Sequence, residues 1–181
     1  LYARVEGSSV RNAEIDLPET EVGGIIGQTA TSTTVRACSF SGTINGGPQV
    51  GGIVANQSAD GDVVENCHVD ADLTGRGNVG GISGFTGRGK VNNCFVEGFV
   101  MLHPDSKEGS VGGLIGYLEE LATNEKEVPV IIEHNLLAVD SIGFVPSATA
   151  GDIVAHRIIG RSSADEMEWD WEHQNPDGSY N

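Results

Sequence analysis

Two short patterns of apolar and small residues alternate along the chain. The first is Val-Gly-Gly followed by Ile or Leu, one further residue, and Gly or Ala. It occurs four times, at Val22, Gly23 and Gly24, at Val50, Gly51 and Gly52, at Val79, Gly80 and Gly81, and at Val111, Gly112 and Gly113. The valines are 50 − 22 = 28, 79 − 50 = 29 and 111 − 79 = 32 residues apart. A period of this size predicts a solenoid or another array of stacked units.

The second pattern lies between copies of the first and is centred on Cys38, Cys67 and Cys94. From each cysteine onward apolar and polar residues alternate with period two, which is typical of a β-strand. We expect these residues to face inward: Cys38, Phe40, Gly42 and Ile44; Cys67, Val69, Ala71 and Leu73; Cys94, Val96, Gly98 and Val100. Residues 10–15 read as an earlier copy of the same pattern, and residues 132–137 as a degenerate later one.

A valine precedes each cysteine by three residues, so both cannot face inward along one flat strand. A corner or bulge is therefore predicted between them, where Asn12, Asn66 and Asn93 lie. Asparagine tolerates a left-handed backbone better than most residues. Stacked copies would form an asparagine ladder, interrupted by Ala37 and His134. The glycine pairs are predicted to be either bulges or places where side chains would collide.

Together these patterns predict an all-β fold: a parallel β-solenoid, or β-helix, of about four to six coils with a repeat of about 28 residues. One coil cannot bury its own apolar face, whereas coils stacked about 4.8 Å apart share a core and pair their strands. We assign residues 1–160 to the solenoid, with regular coils over about 10–116. After a loop over 117–127, the C-terminal part is expected to be irregular, with a degenerate coil over 128–160 whose residues 157–160 repeat the 113–116 block. Residues 161–181 are an acidic cap or a linker.

The start of the chain also bears on its organisation. Residues 1–3 align with residues 53–55, so we expect the chain to open within a repeat and to be a piece of a larger protein.

Composition narrows the classes of partner. The net charge is −16, so nucleic acid and anionic lipid, which need basic patches, are poor partners. The sequence has no run of about 18 apolar residues, so no transmembrane helix is predicted. We expect no membrane insertion and no nucleic-acid binding.

Candidate catalytic and metal-binding residues were weighed in the same way. None of the five histidines stands in a His-Glu-x-x-His pattern, so no catalytic zinc site is predicted. The cysteines form no Cys-x-x-Cys pair and are interpreted as a column of buried thiols acting as small hydrophobic side chains. We expect no cofactor and no metal.

Three other motifs have less specific explanations. Residues 75–80 match Gly-x-Gly-x-x-Gly, but a strand block rather than a helix is predicted to follow them. Residues 84–90 resemble a phosphate-binding loop, but Val91 replaces the Ser or Thr that holds magnesium in such loops, so both motifs are interpreted as turns between strands. Asp60, Asp62, Asp70 and Asp72 are interpreted as a solvated acidic face, with calcium binding left open. Phe95 and Phe99 are expected to point outward and to form an interface, covered either by residues 117–127 and the C-terminal tail or by another domain.

The two patterns resemble the GLUG-motif repeats of bacterial surface proteins, well over residues 10–116 and loosely at Gly160. Such repeats also occur in the non-catalytic region of streptococcal immunoglobulin-A-cleaving zinc metallopeptidases, and residues 133–136 and 156–160 resemble the end of that region. The resemblance implies an extracellular or cell-surface bacterial module for adhesion, binding or spacing. Its expected partners are a host protein, a glycan, or other domains of the parent protein. Two alternatives remain: a substrate-capture region of such a peptidase, and a carbohydrate-active β-helix with paired carboxylates.

Overall fold

The described part of the chain consists of β-strands joined by short turns. The computed structural model describes residues 2–119, 131–144 and 153–162, and within them the regular structure is twenty strands. They lie in four parallel sheets of five strands each. The chain passes through the four sheets in the same order five times, so each coil supplies one strand to every sheet. The predicted all-β parallel solenoid, with a coil number between four and six, is confirmed.

Corresponding strands of the five coils have similar lengths. The first holds β1 (Ala3–Glu6), β2 (Ser9–Leu17), β3 (Val22–Gly23) and β4 (Ile26–Thr29), and the second β5 (Thr33–Arg36), β6 (Ser39–Gly46), β7 (Gln49–Gly51) and β8 (Val54–Gln57). The third holds β9 (Val63–Glu65), β10 (His68–Gly75), β11 (Asn78–Gly80) and β12 (Ser83–Thr86). The fourth holds β13 (Lys90–Asn92), β14 (Phe95–Leu102), β15 (Gly109–Gly112) and β16 (Ile115–Leu118). The fifth holds β17 (Ile131–Glu133), β18 (Leu136–Phe144), β19 (Ile153–His156) and β20 (Ile159–Ser162).

One sheet has much longer strands than the others, and we call it the long sheet. It comprises β2, β6, β10, β14 and β18, each of eight or nine residues. The alternation predicted for these strands is present: the inward side chains from Cys38, Cys67 and Cys94 onward are buried in the core, except at Gly42 and Gly98, which are half-buried. The solvent side carries the polar set, including exposed His68.

The corner before the long sheet has the predicted backbone. Asn66, Asn93, Ala37 and His134 have φ between 51° and 54°, in the left-handed region. The side-chain amide of Asn93 donates to Oδ1 of Asn66 at 2.5 Å, which is one rung of the expected ladder. The ladder ends at Ala37 in the second coil, as expected, because the alanine methyl group cannot form a hydrogen bond with Asn66.

The interpretation of residues 10–15 as the first copy of this corner is wrong. Val5 pairs with Val35 and Ser9 with Ser39, so the first-coil corner is at Gly7, where φ is 65°. Asn12 is left-handed for a different reason. It lies in a bulge of β2, where the register with β6 shifts between Val10 and Ala13.

The alignment of residues 1–3 with residues 53–55 is also wrong. Ala3 pairs with Thr33 at the start of β5, while Val54 pairs with Ile26. The first residues therefore begin a coil in the first sheet rather than continue one in the fourth.

The glycine pairs stack in register, and they are glycine because side chains would collide there. Val22, Val50, Val79 and Val111 form one row of the third sheet. A Cβ on Gly80 would lie 2.0 Å from Ser83 O, and a Cβ on Gly81 would lie 2.2 Å from Gly113 O in the next coil. Neither glycine has a positive φ. Of the two explanations that the sequence left open, collision is therefore the one that applies.

The fifth coil repeats the path with weaker sequence signals. Ile159 pairs with Ile115, which places residues 157–160 on the 113–116 block as predicted. Ile132 pairs with Val91, and Asn135 stands where the second, third and fourth coils have cysteine and the first coil has Ser8. Most of the expected loop (120–127), residues 128–130 and 145–152 of the degenerate coil and most of the acidic tail (163–181) lie outside the described residues.

Candidate binding face

The solvent side of the long sheet is the largest regular surface of the described chain, and we call it the long-sheet face. Its inner three strands, β6, β10 and β14, pair residue by residue without a break. Outward side chains of neighbouring coils therefore stand in rows along the solenoid axis, with strands about 4.8 Å apart. Whether a given position of this face is polar, acidic or aromatic therefore depends on which coil supplies the side chain.

The character of these rows changes from the second coil to the fourth. The row that contains Ser39 continues with His68, Phe95 and Leu136, and the row that contains Thr43 continues with Asp72, Phe99 and Ser141. The hydroxyl groups of the second coil are thus replaced by His68 and Asp72 in the third coil and by aromatic rings in the fourth. Large apolar side chains therefore enter the face in the fourth and fifth coils, beside the carboxylate of Glu97.

A small cluster of His68, Phe95 and Glu97 joins the third coil to the fourth. The rings of His68 and Phe95 are stacked, with centroids 5.1 Å apart and planes 8° apart. His68 Nε2 lies 2.8 Å from Glu97 Oε2. Sequence reasoning missed this contact, although the repeat spacing contained the signal, because His68 and Phe95 each follow a cysteine directly. The cluster fixes the orientation of both the Phe95 ring and the Glu97 carboxylate.

The aromatic end of the face is open to solvent. Phe99 is 43% exposed and Leu136 is 62% exposed, while Phe95 is half-buried against its neighbours. The outward direction expected for Phe95 and Phe99 agrees with these exposures. The segments proposed to cover them lie mainly outside the described residues. Large exposed apolar side chains on a flat sheet are typical of a contact surface.

The four aspartates that the sequence groups together, Asp60, Asp62, Asp70 and Asp72, lie in different environments. Asp62 is buried, and its carboxylate accepts hydrogen bonds from Thr29 Oγ1, from Thr33 N and from Ala59 N, which ties three successive coils together. Asp60 pairs with Arg88. Asp70 and Asp72 alone lie on the long-sheet face.

Metal binding and carbohydrate cleavage both need acidic or metal-ligating side chains that are grouped in space. Within 2–119, 131–144 and 153–162, no three His, Cys, Asp or Glu residues are grouped so that they could hold a metal ion. Along the rows, Asp70 is followed by Glu97, but Asp72 is followed by Phe99. The carboxylates thus do not continue as a pair from coil to coil.

The three cysteines stand in a column in the core. Backbone hydrogen bonds from His68 N to Cys38 O and from Phe95 N to Cys67 O align them. Burial raises the pKa of the Cys38 thiol. The Cys67 thiol donates to Val35 O and Glu65 O, and the Cys94 thiol to Val64 O and Asn92 O. The neighbouring Cys94 thiol and burial raise the pKa of the Cys67 thiol. All three are free and buried, as expected for thiols that pack as small side chains.

The remaining motifs fall in connections between strands. Residues 76–77 join β10 to β11, and residues 87–89 join β12 to β13, so a strand rather than a helix follows each glycine motif. The described histidines are spread over the fold: His68 on the long sheet, His103 after β14, His134 at a corner and His156 in β19. His173 lies outside the described residues. A phosphate site of either type needs a helix N-terminus that these connections lack.

These features define the chain as a four-sheet parallel β-solenoid with one long, solvent-facing sheet. No protein-family model, no curated protein and no solved structure matches it. Across the ranges that the structure describes, there is no helix with the length and apolar character to span a membrane.

Proposed function

We propose that this solenoid is a non-catalytic module of a bacterial cell-surface or secreted protein, and that it serves in adhesion or binding through the long-sheet face. The observation that carries the proposal is the exposed aromatic and aliphatic end of that face, at Phe95, Phe99 and Leu136. Aromatic side chains supply much of the binding energy at protein interfaces.

The architecture supports a positioning role for the same surface. Each coil is paired with its neighbours in all four sheets, so the stack behaves as one stiff rod rather than as a flexible linker. A stiff rod holds a flat face at a fixed distance from whatever it is joined to. A spacing function, without any ligand, uses the same property.

The expected partners are a host protein, a glycan or another domain of the parent protein. The resemblance to GLUG-motif repeats supports an extracellular site of action. If the parent is an immunoglobulin-A-type zinc metallopeptidase, the catalytic domain lies outside this chain, and the long-sheet face would capture substrate for it.

The test compares the chain with a variant that lacks the two rings, Phe95→Ser/Phe99→Ser. Both are immobilised and exposed to collagen, fibronectin, immunoglobulin A and a panel of glycans, with binding followed by surface plasmon resonance. We expect at least one specific ligand, bound about tenfold more weakly by the variant. Equal binding by both chains would refute the assignment of this face. Absence of binding to every probe would refute adhesion and leave spacing alone.

A further inference from the structure

We propose that the occupant of the long-sheet face is a basic polypeptide segment, whose arginine or lysine side chains lie against the exposed rings and reach the neighbouring carboxylates. This inference rests on the proposed function, because it names the ligand class of the same face. It goes further in choosing a cationic protein segment over a neutral glycan.

The first argument is the register of rings and carboxylates. On β14, Glu97 lies between Phe95 and Phe99 with all three side chains on one face, and one coil below, Asp70 pairs with Glu97 and Asp72 with Phe99. Neighbouring strands place such side chains about 5 Å apart. A guanidinium group placed flat on a ring is attracted to it and can share hydrogen bonds with a carboxylate at the ring edge. This surface offers both contacts together.

The second argument is the charge of the face. The strands β10, β14 and β18 contain four acidic residues and neither lysine nor arginine: Asp70, Asp72, Glu97 and Asp140. His68 already lies against Glu97, which leaves Asp70 and Asp72 exposed at the edge of the aromatic end. A cationic ligand would neutralise these carboxylates, whereas an acidic one would be repelled.

The third argument disfavours the chain itself as the occupant. Residues 163–181 contain six acidic residues and neither lysine nor arginine, so their charge opposes docking on this face. A second copy carries the same net charge of −16. The electrostatic potential of the face therefore selects a partner of the opposite sign, and it steers that partner on approach.

The experiment uses the full chain and a short synthetic peptide of alternating arginine and serine, labelled for fluorescence anisotropy. Matched probes are the glutamate–serine peptide and cellohexaose. We expect the arginine peptide alone to bind, more weakly as salt is raised. Phe99→Ser, which changes no charge, should weaken binding about threefold, and Phe95→Ser/Phe99→Ser about tenfold.

Charge-changing variants separate a local effect from the overall acidity of the protein. Asp70→Asn/Asp72→Asn and the control Glu19→Gln/Glu21→Gln both bring the net charge from −16 to −16 + 2 = −14. The control residues are exposed in the turn that follows β2, two coils away from Asp70 and Asp72. We expect about fivefold weaker binding for the first pair and less than twofold for the control. Equal losses in both pairs would show that only net charge matters and would overturn the inference.

Failure of this inference and failure of the proposed function have different signatures. Binding of cellohexaose in place of the arginine peptide, lost in the ring variants, would overturn the basic ligand while keeping the face. Binding of the arginine peptide that is unchanged in Phe99→Ser and in Phe95→Ser/Phe99→Ser would overturn both. Circular dichroism of each variant provides the check that the solenoid is intact, and Phe99→Ser is informative by itself because its ring is already exposed.

Discussion

Replacing Gly81 by alanine places a methyl group at a crowded point between two coils. The new Cβ would lie 2.2 Å from Gly113 O and 2.6 Å from Val96 Cγ1. The valine is buried in the core, and the carbonyl belongs to the backbone of the next coil. Neither can move by rotating a flexible side chain, so the coils themselves must separate.

The cost follows from two contributions. Forcing an extra carbon into a packed core costs about 1–3 kcal/mol. Separation of the coils also weakens the hydrogen bonds beside the glycine, from Gly52 N to Gly81 O at 3.1 Å and from Ile82 N to Leu114 O at 2.9 Å, each worth about 1 kcal/mol. The free energy of unfolding should therefore fall by about 3–5 kcal/mol, a large share of the 5–15 kcal/mol typical of a domain.

Urea unfolding followed by far-ultraviolet circular dichroism measures this change. Gly27→Ala is the matched control, because a Cβ on Gly27 meets nothing within 4 Å and the equivalent position of the next coil is Ala55. The control should be neutral or more stable by up to about 1 kcal/mol, since alanine restricts the unfolded chain. If Gly81→Ala stayed within about 1 kcal/mol of the unsubstituted chain, close packing would not be the reason for the glycine pairs.

Three further substitutions test other parts of the solenoid by the same measurement. Ala37→Gly should stabilise by about 1 kcal/mol, since alanine at φ 51° is strained; an unchanged midpoint would contradict this. Asp62→Asn should destabilise by about 2–4 kcal/mol, because an amide cannot accept all three hydrogen bonds of the buried carboxylate; a loss below about 1 kcal/mol would refute the tie between coils. Burial raises the pKa of the Cys38 thiol in the folded chain, so stability is full below the unfolded pKa of about 9 and should fall above it, by up to about 1.4 kcal/mol per pH unit; Cys38→Ala should flatten this decline between pH 8 and 10.

The sequence predicts this fold well where a position has a single steric solution. The glycine pairs recur because a Cβ there would strike the next coil, whereas the cysteine position is less strict, because Ser8 and Asn135 occupy it in the first and fifth coils. The first-coil corner was placed wrongly because its requirement is a left-handed backbone, not a particular residue. Gly7 meets that requirement as well as Asn66 does, and it leaves no asparagine for a pattern search to find.

The candidate face was predicted less completely, since contacts across coils depend on register. Phe95 and Phe99 could be assigned to the outside from alternation along one strand. The pairing of His68 with Glu97 needs the additional knowledge of which coil lies above. Alternation within one strand does not predict which residue of the neighbouring coil is adjacent. The repeat period does predict it, provided that the coils pair without a register shift.

A register shift lies beside the exposed Phe99 ring. The outer strands of the long sheet, β2 and β18, each carry a bulge, whereas the three inner strands pair evenly. In β18 the shift falls beside Phe99, so that Ser141 rather than Asp140 is its partner. A bulge bends the strand and redirects the side chains next to it. Phe95 and Leu136 pair before the shift, so the irregularity bears on the surroundings of Phe99 and not on the rest of the surface that we propose for binding.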